Sequence, residues 1–415
     1  MRVAVLGGGV VGVAAAYYLS QDGHEVTLID RNALPASETS YGNAGLVSPG
    51  DSYAWASPGA LKMFVRSLFR SDLGIKVRPS LDPYFLLWTW QFLFQCTPAR
   101  AHINTLRKLR IAMYSKQCIN ALAQHTGVQY ESGHRGILYF YRSQESLDAG
   151  AQHMKILADH GLRIDVVGRE RLIEIEPGLA AAKDKIAGAI YSPMDQTGDS
   201  CLFARNLTAW CEQHAGVKVL YGLTISGLNV EGGRIASVRT DRGPIEADAF
   251  VLAMGAETAL LGRKVGLKLP IYPVKGYSMT VPIRNGGGPT LGGVDEDKLI
   301  AYSRLGDRLR LACRAEFAGY DRSHRPDDFK MLRKVGEELF PGVADFDRAD
   351  YWAGLRPMTP TSVPILGRAR YDNLYLDCGH GHVGWTMACG SGRFVADLIA
   401  GRKPEIDPDG LLYDH

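Results

Sequence analysis

With 415 residues, the chain has length for about two or three domains of about 100–200 residues each, easily enough to bury a large core. Its apolar fraction of 46% and charged fraction of 22% are those of an ordinary soluble globular protein. A formal charge of +3, with Lys and Arg spread along the chain, argues against a nucleic-acid partner. The seven cysteines (Cys96, Cys118, Cys201, Cys211, Cys313, Cys378, Cys389) are odd in number and contain no C-x-x-C pair. No zinc site, iron–sulfur cluster or disulfide framework is expected, no metal is assigned, and a reducing, cytoplasmic setting is favoured.

Arg2 to Leu6 (RVAVL) reads as a strand, and Gly7-Gly8-Gly9-Val10-Val11-Gly12 follows at once as G-x-G-x-x-G. Gly7 permits the tight turn, Gly9 lets a pyrophosphate approach the backbone, and Gly12 lets helix and strand pack closely. Val10 and Val11 are counted with the cofactor site, and Val13 to Leu19 has the composition of a helix whose N-terminal N–H groups face the phosphates with a partial positive charge. Glu25 to Ile29 is a second strand, closed by Asp30 and Arg31, with Asp30 placed to accept hydrogen bonds from an adenosine ribose. Strand, turn, helix, strand and acid in this order point to a dinucleotide site. The N-terminus starts the first strand directly, so it reads as a fold element and no signal peptide.

A loop from Ala36 to Pro58 follows, rich in small residues. Ser40, Gly42, Asn43, Ala44, Gly45 and Leu46 are expected to lie against a flat ligand and offer it N–H groups. From Leu61 to about Thr126 the pattern is helical, with Ile103, Leu106, Leu109 and Met113 at helix spacing. Its aromatic run, Tyr84 to Phe94 (YFLLWTWQFLF), is about half of what a spanning helix needs. It reads either as a buried core helix or as a surface that dips into a bilayer near a membrane acceptor.

Gly136 to Tyr141 is a strand, Ser143 to His160 an amphipathic helix, Asp165 to Val167 a short strand, and Cys201 to His214 a helix. Four strand candidates follow at Val217 to Leu220, Ile225 to Val230, Ile235 to Thr240 and Ile245 to Ala247. A β-meander here is the crossover of two-dinucleotide-type flavin folds. It leads to a buried strand from Ala249 that ends at Gly255. Pro273 to Pro282, Lys298 to Ser303 and Arg308 to Ala312 alternate as antiparallel strands, and Asp327 to Phe340 is helical. Asn373 to Asp377 is a strand, and Cys378 to Thr386 is a second glycine-rich turn that runs into a helix through Ile399.

The stretches TSYGNAGLVSPG (39–50), SPMDQTGDS (192–200), PVKGYSMTVPI (273–283), GLRPMTPTSVPILGR (354–368) and GHGHVGWTMACGSG (379–392) closely resemble the FAD-dependent D-amino-acid dehydrogenases, within the wider D-amino-acid oxidase, glycine oxidase and sarcosine oxidase superfamily. The resemblance covers nearly the whole chain. It implies an α/β plus α+β architecture: a discontinuous FAD-binding Rossmann domain over 1–80, 185–265 and 350–405, and an antiparallel-sheet substrate domain over 81–184 and 266–349, with a tail over 406–415. It also implies oxidation of a D-amino acid to an imino acid that water hydrolyses, with electrons passed to a quinone or other acceptor.

By its likeness to glycine oxidases around Gly354, Arg356 is implied to grip the substrate carboxylate, and a guanidinium suits that role because it pairs with a carboxylate through two parallel hydrogen bonds. Gly381, His382, Val383, Gly384, Trp385 and Thr386 are implied at the flavin, with His382 also a candidate for direct chemistry. Tyr53, Tyr277 and Tyr302 are candidates for the pocket edge. Asp51-Ser52-Tyr53 departs from the enzymes that act on D-alanine, which brings in a cyclic imino acid such as D-proline or 4-hydroxy-D-proline as substrate. Two other functions stay open: an oxygen-using glycine or sarcosine oxidase, and a flavoprotein subunit of a larger assembly.

Overall fold

The computed structural model describes residues 1–60, 74–78, 80–284 and 286–413. The helical reading that begins at Leu61 falls, as far as 73, outside the described residues.

Arg2–Leu6 is a central strand whose alternate residues enter two cores: Val3 and Val5 pack with Val10, Val13 and Phe203, while Ala4 and Leu6 pack with Phe250, Leu252 and Leu376. A parallel strand covered on both faces has no solvent side, which is why it reads as an unbroken apolar run. It pairs in parallel with Glu25–Ile29 and with Ala249–Leu252. The sheet has six strands in the order Ile365–Arg368, Leu374–Cys378, Ala249–Leu252, Arg2–Leu6, Glu25–Ile29 and Lys218–Leu220. The first strand candidate of 217–247 thus belongs to this sheet. It is pinned beside Glu25–Ile29 by the bond from Asp30 N to the Leu220 carbonyl, 3.0 Å. The meander keeps three strands, Ile225–Glu231, Arg234–Thr240 and Gly243–Glu246.

Helices Val10–Gln21, Gly384–Ile399 and Pro98–Thr126 stack on one another at close range because small residues meet. A Cβ at Gly392 would stand 2.8 Å from the Ala15 nitrogen, and one at Gly390 would stand 2.7 Å from the Ser115 Cα. The A-C-G-S-G stretch of the last helix is therefore a packing surface.

The second sheet has nine strands. Its main path runs Asp350–Met358, Tyr272–Pro282, Arg308–Phe317, Ile300–Leu305, Gly292–Asp295, Ile137–Tyr141, Gly188–Ser192 and Asp165–Gly168, with Ile75–Val77 beside Arg308–Phe317. Three of these strands, Ile75–Val77, Gly188–Ser192 and Asp350–Met358, come from segments expected with the nucleotide sheet. Each carries an ordinary strand pattern, but its partner is distant in sequence: Asp350–Met358 pairs along its length with Tyr272–Pro282. One face of this sheet packs Met279, Tyr302, Leu309 and Leu311 against Phe329, Leu332, Leu339 and Phe340. The opposite face presents Gly276, Ala301, Ala312, Ala315 and Gly354 to a cavity between the two sheets.

The aromatic run forms helix Pro83–Gln95, with Asp82 accepting from Tyr84 N at 3.0 Å and Pro at the first turn. It is not a helix of the core. Phe85 and Trp88 are buried against Tyr272 and Phe317, whereas Tyr84, Leu86, Leu87, Trp90 and Phe94 are exposed, Trp90 to 62%. Among the described residues no helix is long and apolar enough to cross a membrane.

Candidate active site and cofactor cavity

One continuous cavity of about 670 Å³ runs from the fingerprint turn to Arg356. At its first end Gly7 has φ +110°, and a Cβ there would stand 2.5 Å from the Ala253 carbonyl oxygen, so only glycine makes this turn. Gly12 is held still more tightly: a Cβ there would stand 1.9 Å from the Gly7 carbonyl oxygen, and Gly12 does not line the cavity. Gly9 is different: a side chain there would meet only Ser40 Oγ, at 3.4 Å, so its face is open toward the cavity. Val10 and Val11 line the same end, where Ser40 Oγ accepts from Val10 N at 3.1 Å.

Asp30 lines the cavity with three of its acceptor sites in use, taking N–H bonds from Gly8 at 2.7 Å and Asn32 at 2.7 Å and the Asn32 amide at 2.9 Å. A carboxylate has about four such sites, so one remains for a ligand hydroxyl. Arg31 also lines it but is engaged in ion pairs with Glu38 and Glu257, 2.5 Å each. Gly255 follows the strand Ala249–Leu252 into the lining with φ +55°.

The loop of small residues crosses under the second sheet and is tied to it. Buried Arg310 donates to the carbonyls of Tyr41 (2.8 Å) and Asn43 (3.1 Å), and Ser303 Oγ donates to the Ala44 carbonyl at 2.7 Å. Gly42 and Gly354 both back onto Trp352, where a Cβ on either would overlap the indole. Gly42, Asn43, Ala44 and Leu46 line the cavity, but Gly45 packs against Ser303 and Leu305 instead. Gly381, His382, Val383, Gly384, Trp385 and Thr386 bring the start of helix Gly384–Ile399 to the wall. Thr386 Oγ1 accepts from Ser48 N at 2.9 Å, and the Trp385 indole donates to the Gly198 carbonyl at 3.1 Å, so both side chains are fixed.

Arg356 and the three tyrosines separate by location. Arg356 lines the cavity with its guanidinium lying over Gly276 of the next strand. Tyr53 lines it too, its ring stacked on His153 at 4.0 Å and its buried hydroxyl without a partner among the described residues. Tyr277 touches the lining, but its hydroxyl donates to Glu316. Tyr302 does not reach the cavity. In Ile300–Leu305 the pleat sends Ala301 to the cavity and Tyr302 to the other face, where its ring meets Phe340 at 5.0 Å.

Three charged groups at this end have no local sequence signature. Lys108 is fully buried in helix Pro98–Thr126, and its ammonium donates to the carbonyls of Tyr53 (2.7 Å) and Asp51 (3.4 Å) and stands 3.2 Å from His382 Nε2. The same Nε2 stands 3.6 Å from Asp51 Oδ2, so it has a carboxylate as well as the Lys108 amine for a neighbour, and buried Nδ1 makes no hydrogen bond with any described residue. Burial, then Lys108 and Arg356, hold the His382 pKa well below its usual value. Trp55 stacks on the same ring at 4.9 Å. Asp51 lines the cavity, and burial raises its carboxyl while Lys108 and Arg356 oppose that rise. Glu296 lines it as well, its carboxyl pushed up to about 8 by burial and by Asp51. Behind the wall, Asp195 of the SPMDQTGDS stretch accepts from Tyr139 Oη at 2.7 Å and is pushed up to about 7 by burial.

A glycine turn open at Gly9, a roof of small residues and a helix start around one elongated cavity fit an extended dinucleotide. The family description FAD dependent oxidoreductase matches residues 2–398. The chain belongs to this family. FAD is accordingly its cofactor. This FAD-dependent oxidoreductase is 60% identical to D-amino acid dehydrogenase 2 of Mesorhizobium japonicum, over 100% of both chains. It is 44% identical to D-amino acid dehydrogenase of Chromohalobacter salexigens, over 99% of this chain and 98% of that one. Its fold is similar to glycine oxidase from Geobacillus kaustophilus, with a TM-score of 0.75 at 22% identity over 100% of this chain and 99% of that one.

Proposed function

We propose that this oxidoreductase is a dehydrogenase of D-amino acids whose substrates include cyclic D-imino acids such as D-proline or 4-hydroxy-D-proline. The names of the full-length relatives support the first part, and the polar wall built from Asp51 and Tyr53 supports the second. The observation that carries the reading is Arg356, a half-buried guanidinium facing the same cavity as the fingerprint turn and the 381–386 helix start.

In this reading Gly7, Gly9, Val10 and Val11 receive the pyrophosphate, and Asp30 receives the ribose. Gly42, Asn43, Ala44, Leu46 and residues 381–386 would flank the ring. When bound, FAD supplies the hydride acceptor. Arg356 holds the substrate carboxylate through two parallel charge-assisted bonds. Asp51 takes the proton that leaves the substrate ammonium, since burial favours its protonated form. The Lys108 bonds to Asp51 and Tyr53 keep this loop in place, with neutral His382 packed against the Lys108 amine. The roof of small residues, Gly276, Ala301, Ala312, Ala315 and Gly354, would leave room for the substrate beside the flavin while excluding water.

Electrons leave to a quinone or similar acceptor at the inner face of the cell membrane. The exposed aromatic face of Pro83–Gln95 supports peripheral contact there, in the manner of an interfacial helix. The test is anaerobic mixing of the yellow holoenzyme with D-alanine, D-proline, 4-hydroxy-D-proline and their L-forms. Bleaching of the flavin by D-forms is expected, and bleaching by none of them refutes the proposal. Peroxide formed in step with substrate in air would assign an oxidase instead.

A further inference from the structure

We propose that Glu296, Tyr53 and His153 form a subsite that binds a hydrogen-bond donor carried on the substrate's side chain. This rests on the amino-acid reading above and deepens it, because it names what distinguishes the substrate from a simple D-amino acid.

Glu296 is the middle of three consecutive acids, and its neighbours are spoken for. Asp295 accepts from Arg142 Nε at 2.8 Å and Nη2 at 2.6 Å, and Asp297 accepts from Arg142 N at 2.6 Å and Ser146 Oγ at 3.0 Å. Glu296 follows strand Gly292–Asp295, and alternation turns it to the opposite side, into the cavity. There its carboxyl makes no hydrogen bond or ion pair with any described residue.

Tyr53 adds a second group of the same kind. Its hydroxyl is buried without a partner among the described residues, its ring is clamped by His153 at 4.0 Å, and its carbonyl is held by Lys108 at 2.7 Å. Buried polar groups are ordinarily satisfied. Here the buried Tyr53 hydroxyl stands unspent on the same wall as the half-buried Glu296 carboxyl, as in a site that waits for its ligand. The raised pKa of Glu296 lets it both donate and accept near neutral pH.

Position supports the same conclusion. Arg356 and Glu296 stand on strands four steps apart, about 19 Å between backbones at about 4.8 Å per step. The Arg356 guanidinium leans inward over Gly276. A small substrate held by its carboxylate at Arg356 and by its amine beside Asp51 has its side chain left to meet the Glu296 wall. A hydroxyl or an ammonium there would satisfy both Glu296 and Tyr53, whereas D-alanine or D-proline leaves both unpaired. Sites built to bond a polar group reject analogues that lack it by large factors.

The experiment compares kcat/KM for matched pairs in the holoenzyme: 4-hydroxy-D-proline with D-proline, D-serine with D-alanine, and D-lysine with D-norleucine. At least one donor-bearing member is expected to exceed its partner by about 100-fold or more. In Glu296→Leu that ratio should fall below about tenfold. Glu296→Gln, which keeps an acceptor, should restore it if the donor is a hydroxyl and not if it is an ammonium, so the two sources are told apart. Flavin content and melting temperature of each variant report folding. Equal efficiencies within every pair, or a ratio that survives both Glu296→Leu and Tyr53→Phe, would overturn the subsite while leaving the amino-acid reading intact. Flavin reduction by none of the six compounds would overturn that reading itself, and the subsite with it.

Discussion

Gly276→Ala tests whether Arg356 works through its position. Gly276 lies in the middle of strand Tyr272–Pro282 at an ordinary strand φ, so alanine suits the backbone there. The added Cβ would stand 2.6 Å from the Arg356 Cζ and Nη2 and 3.0 Å from its Nε, where ordinary contact begins near 3.4 Å. The guanidinium is the far end of a flexible side chain, so it shifts by about 1 Å and the fold is spared. That shift spoils the parallel pair of bonds to a carboxylate. Losing one charge-assisted bond of about 1.5–3 kcal/mol corresponds to about a 10- to 150-fold fall in kcat/KM. The assay is dye-linked turnover of the best D-substrate, with flavin content and melting temperature as controls. Those controls should be unchanged within about 1 kcal/mol. An unaltered kcat/KM in Gly276→Ala together with an unaltered value in Arg356→Ala would show that substrate is held elsewhere.

Gly9→Val should yield a folded protein without flavin, because the new Cβ meets only Ser40 Oγ, at 3.4 Å, and the side chain grows into the open face that the pyrophosphate needs. Absorbance of the purified variant near the flavin maximum, alongside its melting temperature, decides this. Asp195→Asn addresses pH. A carboxyl raised from 3.8 to about 7 is protonated in the fold and ionised in the unfolded chain between those values, so folding stability falls as pH rises through that window. The full difference is about 4 kcal/mol at most. The wild type should therefore lose more stability than Asp195→Asn between pH 5 and pH 8 in denaturant titrations, and parallel profiles would contradict the assignment.

Pattern and partner differ in how they are written into this chain. The fingerprint turn is legible because its constraints are local: Gly7 and Gly12 touch residues within the same strand–turn–helix unit or the strand beside it. Asp350–Met358 and Gly188–Ser192 are legible as strands, but the sheet each joins depends on a distant partner, and alternation of residues carries no such label. The same limit applies to Tyr302, whose strand is plain from the pattern while the phase of its pleat, fixed by neighbouring strands, turns the ring away from the cavity. Lys108 and Glu296 look like solvent-facing charges in a helix and after a strand. Their burial arises only when helix Pro98–Thr126, the 49–55 loop and the second sheet close around one space.

By itself, then, the sequence determined the cofactor class and the family, since those rest on contiguous motifs whose geometry is enforced by steric rules over a few residues. Only the tertiary structure decided which polar groups share the cavity and which are spent elsewhere. Tyr277 is committed to Glu316, Asp295 to Arg142, and Asp51, Tyr53 and Glu296 line the cavity. Hydrogen-bond partners and desolvation are set by atoms brought together from across the chain, and no local spacing encodes them.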